Sequence, residues 1–122
     1  MNLRGQTPDL PLPLTPAMFH VLAALADGDK HGYAILKEVA EQTRDAVRLS
    51  AGTLYGIIKR LLAEGMITEC TERPAPEHDD SRRRYYHLTD WGRQVAVAEA
   101  ERMEKLIVMA RGKRLLKKLK HV

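Results

Sequence analysis

Apolar residues recur at helical spacing in three consecutive segments of the first half of the chain. They predict helices over about residues 16–26, 31–43 and 51–64. Ser50 is a candidate N-cap for the third helix, and Gly65 is a candidate C-terminal stop. Three short helices in this arrangement are typical of a helix-turn-helix.

The hydrophobic period then changes from helical spacing to alternation. Residues 66–71 and 82–88 alternate between apolar and polar side chains, and the polar stretch 74–81 separates them. A further short strand is possible over 46–49. A hairpin directly after a helix-turn-helix is the wing of a winged helix, so the predicted fold is mainly α with a small β-hairpin.

A fourth, longer helix follows the hairpin. Thr89 is its N-cap candidate, and helical spacing continues to Ala110, over about 21 residues or ~31 Å. One winged-helix domain cannot cover so long an apolar stripe, so we expect a second copy of the chain to pack on it as a dimerisation helix. The predicted dimer-interface residues are Val95, Glu99, Met103, Leu106, Ile107 and Ala110.

These elements divide the chain into four parts. We expect a flexible lead-in over 1–14, a winged helix-turn-helix over 15–89, a dimerisation helix over 90–111 and a basic tail over 112–122. The boundary before the tail rests on Gly112, because the apolar positions beyond it would rotate to nearly the opposite side of a continuous helix.

Charge is unevenly distributed along the 122 residues. The net charge is +4, but residues 111–122 hold six basic residues and no acidic one, so the preceding part carries −2. Binding to nucleic acid must therefore be argued from local patches. The absence of a targeting or membrane-spanning run and the single Cys70 lead us to expect a soluble, cytoplasmic protein without disulfides.

The third helix has an unusual outer face. A helical wheel places Gly52, Gly56 and Lys59 outward, with Thr53, Tyr55 and Arg60 at the borders. Each glycine inside a helix costs about 1 kcal/mol relative to alanine. Close approach to a phosphate-lined major groove would explain both glycines and the flanking charges. A solvated face with two incidental glycines is the alternative.

The second strand of the hairpin begins with three arginines, at positions 82–84. They could contact DNA from the wing, or they could form a salt-bridged hairpin with the acidic loop over 75–80. Arg44 and Arg48 could meet phosphate on the other flank, or pair with Asp45 and Glu41.

No pattern of catalytic or metal-ligating residues is recognisable. The five histidines are scattered, and none has a second ligand at a persuasive spacing. We therefore expect neither an enzyme nor a bound metal or cofactor.

The stretch from Leu14 to Ala26 and four later motifs together resemble the PadR-like transcriptional regulators over about residues 14–110. The later motifs are His31-Gly32-Tyr33-Ala34-Ile35, Gly52-Thr53-Leu54-Tyr55 with Lys59-Arg60-Leu61, Gly65-Met66-Ile67, and Arg84-Tyr85-Tyr86-His87-Leu88-Thr89-Asp90-Trp91-Gly92. The resemblance implies a homodimeric repressor that binds a palindromic operator in double-stranded DNA. It matches Tyr55, Lys59 and the wing arginines to DNA-contacting positions, and Tyr33 to a position that packs near the third helix and could touch phosphate. The full set predicted to lie at DNA is Tyr33, Ser50, Gly52, Thr53, Tyr55, Gly56, Lys59, Arg60, Arg82, Arg83 and Arg84.

The single C-terminal helix resembles that of the small subgroup of this family, some members of which bind flat apolar effectors. For such an effector the candidate residues are Trp91, Val95, Met103 and Met109; a fully packed dimer seam without a cavity is the alternative. Two other functions stay open: a winged helix that binds proteins rather than specific DNA, and a regulator of the MarR type.

Overall fold

The computed structural model describes residues 11–70 and 84–117. In these residues the helices are α1 (Pro16–Ala24), α2 (Gly32–Gln42), α3 (Ala51–Ala63) and α4 (Asp90–Gly112), and the strands are β1 (Lys30–His31), β2 (Ile67–Cys70) and β3 (Tyr85–Leu88). The predicted fold class, a mainly helical winged helix-turn-helix with a hairpin and a long C-terminal helix, is confirmed.

Each helix starts at a side chain that accepts a hydrogen bond from the first turn. This satisfies one of the N–H groups that a helix leaves without a partner at its start. The Ser50 and Thr89 caps were expected from the sequence, whereas the His31 cap was not, because histidine is not a usual capping residue. The four pairs of capping side chain and N–H donor are Thr15 with Met18, His31 with Ala34, Ser50 with Thr53, and Thr89 with Gly92.

The hairpin strands pair in antiparallel register, with Ile67 opposite Leu88 and Cys70 opposite Tyr85. β1 pairs with the other edge of β3, which gives the order β1-β3-β2. The sequence did not predict β1, because two residues are too few to show an alternation. Arg82 and Arg83, at the start of the second predicted strand, lie outside the described residues.

The strand considered over 46–49 is wrong. Arg44 and Asp45 adopt left-handed backbone conformations, with φ of 51° and 65°, and the Val47 N–H donates to the Thr43 hydroxyl at 3.0 Å. These turns leave no extended segment to pair with a neighbour.

α1 ends at Ala24, two residues before its predicted end. Lys30 and Arg93 side chains donate to the carbonyl oxygens of Ala24 and Ala26, at 2.6 and 2.9 Å. Side chains thus satisfy carbonyl groups that a longer helix would have bonded internally.

The core lies where the first three helices, the hairpin and the first half of α4 meet. Its fully buried side chains include Val21, Leu22, Ile35, Leu54, Leu61, Met66, Ile67 and Val95. α4 therefore begins as part of the winged-helix domain and leaves it further along its 23 residues.

Candidate nucleic-acid interface

One side of α3 is open to solvent. Leu54, Ile58 and Leu61 are buried in the core, while Gly52, Gly56, Thr53, Tyr55, Lys59 and Arg60 are exposed. A side chain added at Gly52 or Gly56 would meet no atom within 4 Å. We call the surface formed by Gly52, Thr53, Tyr55, Gly56, Lys59 and Arg60 the recognition face.

Neither recognition-face glycine is needed by the fold. Both have ordinary helical backbones and empty space around them, so alanine would fit and would favour the helix. The open space fits both alternatives that the sequence allowed, close approach to a surface outside the monomer and two incidental glycines on a solvated face.

Ser50 stands at the N-terminal edge of this face and has a structural role. Its hydroxyl accepts the Thr53 N–H at 3.0 Å and donates to the Thr53 hydroxyl at the same distance. The Ser50 hydroxyl thus fixes the start of α3.

Lys59 differs from Arg60 on the recognition face and from Arg48 on its flank. Within the described part of the chain it forms no ion pair, whereas Arg60 donates to Glu64 at 3.0 Å and Arg48 to Asp45 at 3.1 Å. Solvent-exposed ion pairs like these contribute little to stability. Lys59 is thus the recognition-face cation whose charge is not already matched by a carboxylate.

The wing arginines are only partly described. Arg84 donates to Glu69 at 2.9 Å across the hairpin. This is a salt bridge within the hairpin, but its acidic partner lies on β2 and not in the acidic loop over 75–80, which is outside the described residues. Arg82 and Arg83 lie outside the described residues.

Asp29 joins β1 to the hairpin, a role that the sequence did not indicate. One carboxylate oxygen, Oδ1, lies 2.7 Å from the His87 ring nitrogen Nδ1, and the other, Oδ2, lies 3.3 Å from the Cys70 sulfur. The hydrogen bond with His87 lowers the pKa of Asp29 more than any other contact. These contacts hold the residue before β1 against both strands of the hairpin.

The apolar stripe of α4 is divided between two environments. Val95 and Glu99 are buried in their own protomer and Trp91 packs against the same core, because the first half of the helix lies on the winged-helix domain. The prediction that Val95 and Glu99 face a partner is therefore corrected, since neither has surface to offer one. Val95 is also unavailable to an effector.

The second half of the stripe extends beyond the domain. Leu106 is 45% exposed in the monomer, and Ile107 and Met109 are similarly exposed. Met103 and Ala110 are half-buried beside them. This part of the predicted interface has no covering within the described chain.

Glu99 connects this helix to the start of the fold. It is only 2% exposed. Its carboxylate accepts two hydrogen bonds from Arg102, at 2.7 and 2.9 Å, and one from the Leu14 N–H at 3.2 Å. A buried carboxylate is tolerated when it is paired and hydrogen-bonded in this way.

We expect Glu99→Gln to destabilise the protein by about 1.5 kcal/mol at neutral pH, the value typical of a hydrogen bond to a charged group. Arg102 holds the pKa of Glu99 below its usual range. A lowered pKa means that the charged form stabilises the folded state above about pH 4, and that this contribution is lost as the pH falls further. Urea unfolding at a series of pH values measures the difference.

The matched control is Glu101→Gln on the exposed side of the same helix, for which we expect almost no change. Equal effects of the two substitutions, or a Glu99→Gln deficit that stays constant into acid, would contradict this assignment.

No group of three or more His, Cys, Asp or Glu side chains among residues 11–70 and 84–117 could hold a metal ion. Every helix in those same ranges is too short or too polar to span a lipid bilayer.

The family model described as the transcriptional regulator PadR-like family matches residues 21–98, and this chain belongs to that family. A transcriptional regulator of Mycobacterium tuberculosis is 32% identical over 87 residues, which cover 71% of this chain and 75% of that protein. An uncharacterized 37.1 kDa protein in a Streptomyces fradiae transposon is 38% identical over 90 residues, 74% of this chain. The match spans 24% of that longer relative.

Solved structures agree with the family assignment. A transcriptional regulator from Clostridium thermocellum has a TM-score of 0.65 and 25% identity, over 82% of this chain and 89% of that one. A PadR family regulator from Eggerthella lenta has a TM-score of 0.60 and 27% identity, over 84% and 83%.

Proposed function

We propose that this chain is a homodimeric repressor that binds a palindromic operator through the recognition face of α3. The observation that carries the proposal is the combination of two glycines with open space around them and an exposed lysine that forms no ion pair with residues 11–70 or 84–117, all on one side of α3. A helix whose outer surface carries basic residues, and glycines without projecting side chains, can enter the major groove closely enough to reach base edges.

Selection of bound sequences from a random duplex pool tests this function. We expect a two-fold symmetric consensus whose half-sites lie about one DNA turn, ~34 Å, apart. A winged helix that binds proteins instead would enrich no sequence. A consensus without two-fold symmetry would support DNA binding and refute the proposed dimeric mode.

The proposed dimer uses the exposed second half of the α4 stripe, centred on Leu106, Ile107 and Met103. Burying each such side chain contributes about 1.5–3 kcal/mol, and two copies would bury them together. Each α4 would pack on its own winged-helix domain and on the α4 of the partner. This arrangement would fix the distance between the two recognition faces.

We expect Leu106→Glu to produce monomers at micromolar concentration, because a carboxylate would be placed in the apolar seam. Sedimentation velocity measures the change. Val108→Glu is the matched control: Val108 is exposed but lies about 200° around the helix from Leu106, at 100° per residue. A Leu106→Glu dimer, or a wild-type monomer, would be evidence against this interface.

The proposed effector is a small planar apolar compound bound near Met103 and Met109, since methionines adapt to ligands of different shapes. Trp91 packs on the core at the start of the same helix, about 18 Å along it from Met103, and supplies a fluorescence signal. A compound that moved α4 would weaken operator binding by coupling of about 1–3 kcal/mol. A broad panel that changes neither Trp91 emission nor operator affinity would favour the closed, fully packed seam.

A further inference from the structure

Gly32 is the first residue of α2, and neither its backbone nor its helical position requires glycine. Its φ lies outside the left-handed region, unlike that of Gly65 at +73°. Alanine has a higher helix propensity than glycine. The reason for glycine must therefore lie in what surrounds it.

Tyr55 occupies the space that a side chain at position 32 would need. An added Cβ would lie 2.5 Å from the Tyr55 hydroxyl oxygen and 3.0 Å from Cζ, the ring carbon that carries it. Both atoms form the outer end of one side chain, which is 50% exposed and free to rotate towards solvent. Alanine at position 32 can therefore be accommodated without disturbing the core, but only if Tyr55 moves.

The Tyr55 hydroxyl also acts electrostatically on the sheet. Tyr86 on β3 is buried, and burial, with the Tyr55 hydroxyl as the next cause, raises the pKa of Tyr86. The geometric constraint on Tyr55 comes from the start of α2, where Gly32 is the residue that makes room for its hydroxyl.

We propose that Gly32 is a positioning residue for DNA recognition, whose missing side chain lets the Tyr55 hydroxyl rest over the start of α2 in the orientation that DNA contact requires. This inference rests on the proposed function. It differs from a role for Gly32 at the DNA itself, because its effect passes entirely through Tyr55.

A double-mutant cycle tests the inference on the operator obtained by duplex selection. We expect Gly32→Ala to weaken operator binding at least about fivefold, as loss of one good contact does, while the urea midpoint does not fall. In the Tyr55→Ala background the same change should alter affinity by less than about twofold, since there is no tyrosine left to displace. Gly112→Ala, at an open position at the end of α4, is the control and should leave affinity unchanged.

A readout without DNA accompanies the cycle. In protein labelled with fluorotyrosine, the Tyr55 resonance, identified by its loss in Tyr55→Phe, should shift in Gly32→Ala and remain in place in Gly112→Ala.

Each other outcome overturns the inference. If Tyr55→Ala weakens binding and Gly32→Ala does not, the positioning role is wrong while the proposed function stands. If the Gly32→Ala loss persists in the Tyr55→Ala background, Gly32 acts directly. If the wild type selects no duplex, both the proposed function and the role of Gly32 in recognition are wrong. If Tyr55→Ala binds the operator normally, Tyr55 does not contact DNA, and the role of Gly32 is wrong for that reason. Neither conclusion depends on the fluorotyrosine resonance.

Discussion

Lys59→Ala should abolish specific operator binding while leaving the protein as stable as the wild type. The lysine is exposed beside Gly52 and Gly56, and no carboxylate of the described chain pairs with it. A good base or phosphate contact is worth about 1–3 kcal/mol, and a dimer loses two of them, so the total is ~2–6 kcal/mol. Fluorescence anisotropy with the selected operator and urea unfolding measure the two quantities.

The same experiment distinguishes a base contact from a phosphate contact. If Lys59 binds phosphate, operator and scrambled duplex weaken together, and the log–log salt slope falls by about 2 for the dimer. If it binds a base edge, the operator weakens more. Lys105→Ala on exposed α4 controls for loss of a surface charge, and unchanged operator affinity of a normally folded Lys59→Ala protein would refute the recognition face.

Gly92→Ala should cause the largest loss of stability of any glycine substitution considered. Its Cβ would overlap the Met66 carbonyl oxygen and lie 2.8 Å from Cδ1 of Leu88. The Met66 carbonyl cannot easily retreat, because it accepts hydrogen bonds from the Thr89 N–H at 3.1 Å and the Thr89 hydroxyl at 2.9 Å. We expect a loss of about 3 kcal/mol, at the upper end for overpacking.

Thermal unfolding followed by circular dichroism checks this expectation. A loss of this size lowers the midpoint by at least about 10 °C in a domain of this length. Leu88→Ala should not rescue the variant, because the conflict with the Met66 backbone remains. Gly56→Ala, at an open helical position, is the control and should be neutral or stabilising. If Gly92→Ala unfolds at a midpoint similar to that of Gly56→Ala, the start of α4 adapts more easily than its contacts with Met66 and Leu88 indicate.

The two glycine predictions differ for a reason that only the three-dimensional contacts supply. Gly56 and Gly92 both lie in helices, and a sequence pattern assigns the same propensity cost to each. One faces open space and the other faces a carbonyl from a distant part of the chain. The first is a candidate for function, whereas the second is required by packing.

The apolar stripe of α4 was predictable as a pattern, but its partners were not. Periodicity places Val95, Glu99 and Leu106 near the same side of the helix. It contains no information about where the winged-helix domain ends along that side. The structure buries Val95 and Glu99 within the protomer and leaves Leu106 exposed, which moves the proposed dimer seam towards the C-terminal end of the helix.

The sequence by itself determined the order and type of the main elements, since helical spacing, alternation and the Ser50 and Thr89 caps are local properties. It also determined the recognition face, because exposure on one helix follows from its own pattern. Tertiary structure decided the third strand, the hydrogen bond from the Leu14 N–H to the buried Glu99 and the contact of Tyr55 with Gly32. These features join residues far apart in the chain, and a pattern along the chain cannot specify which distant side chains the packing brings together.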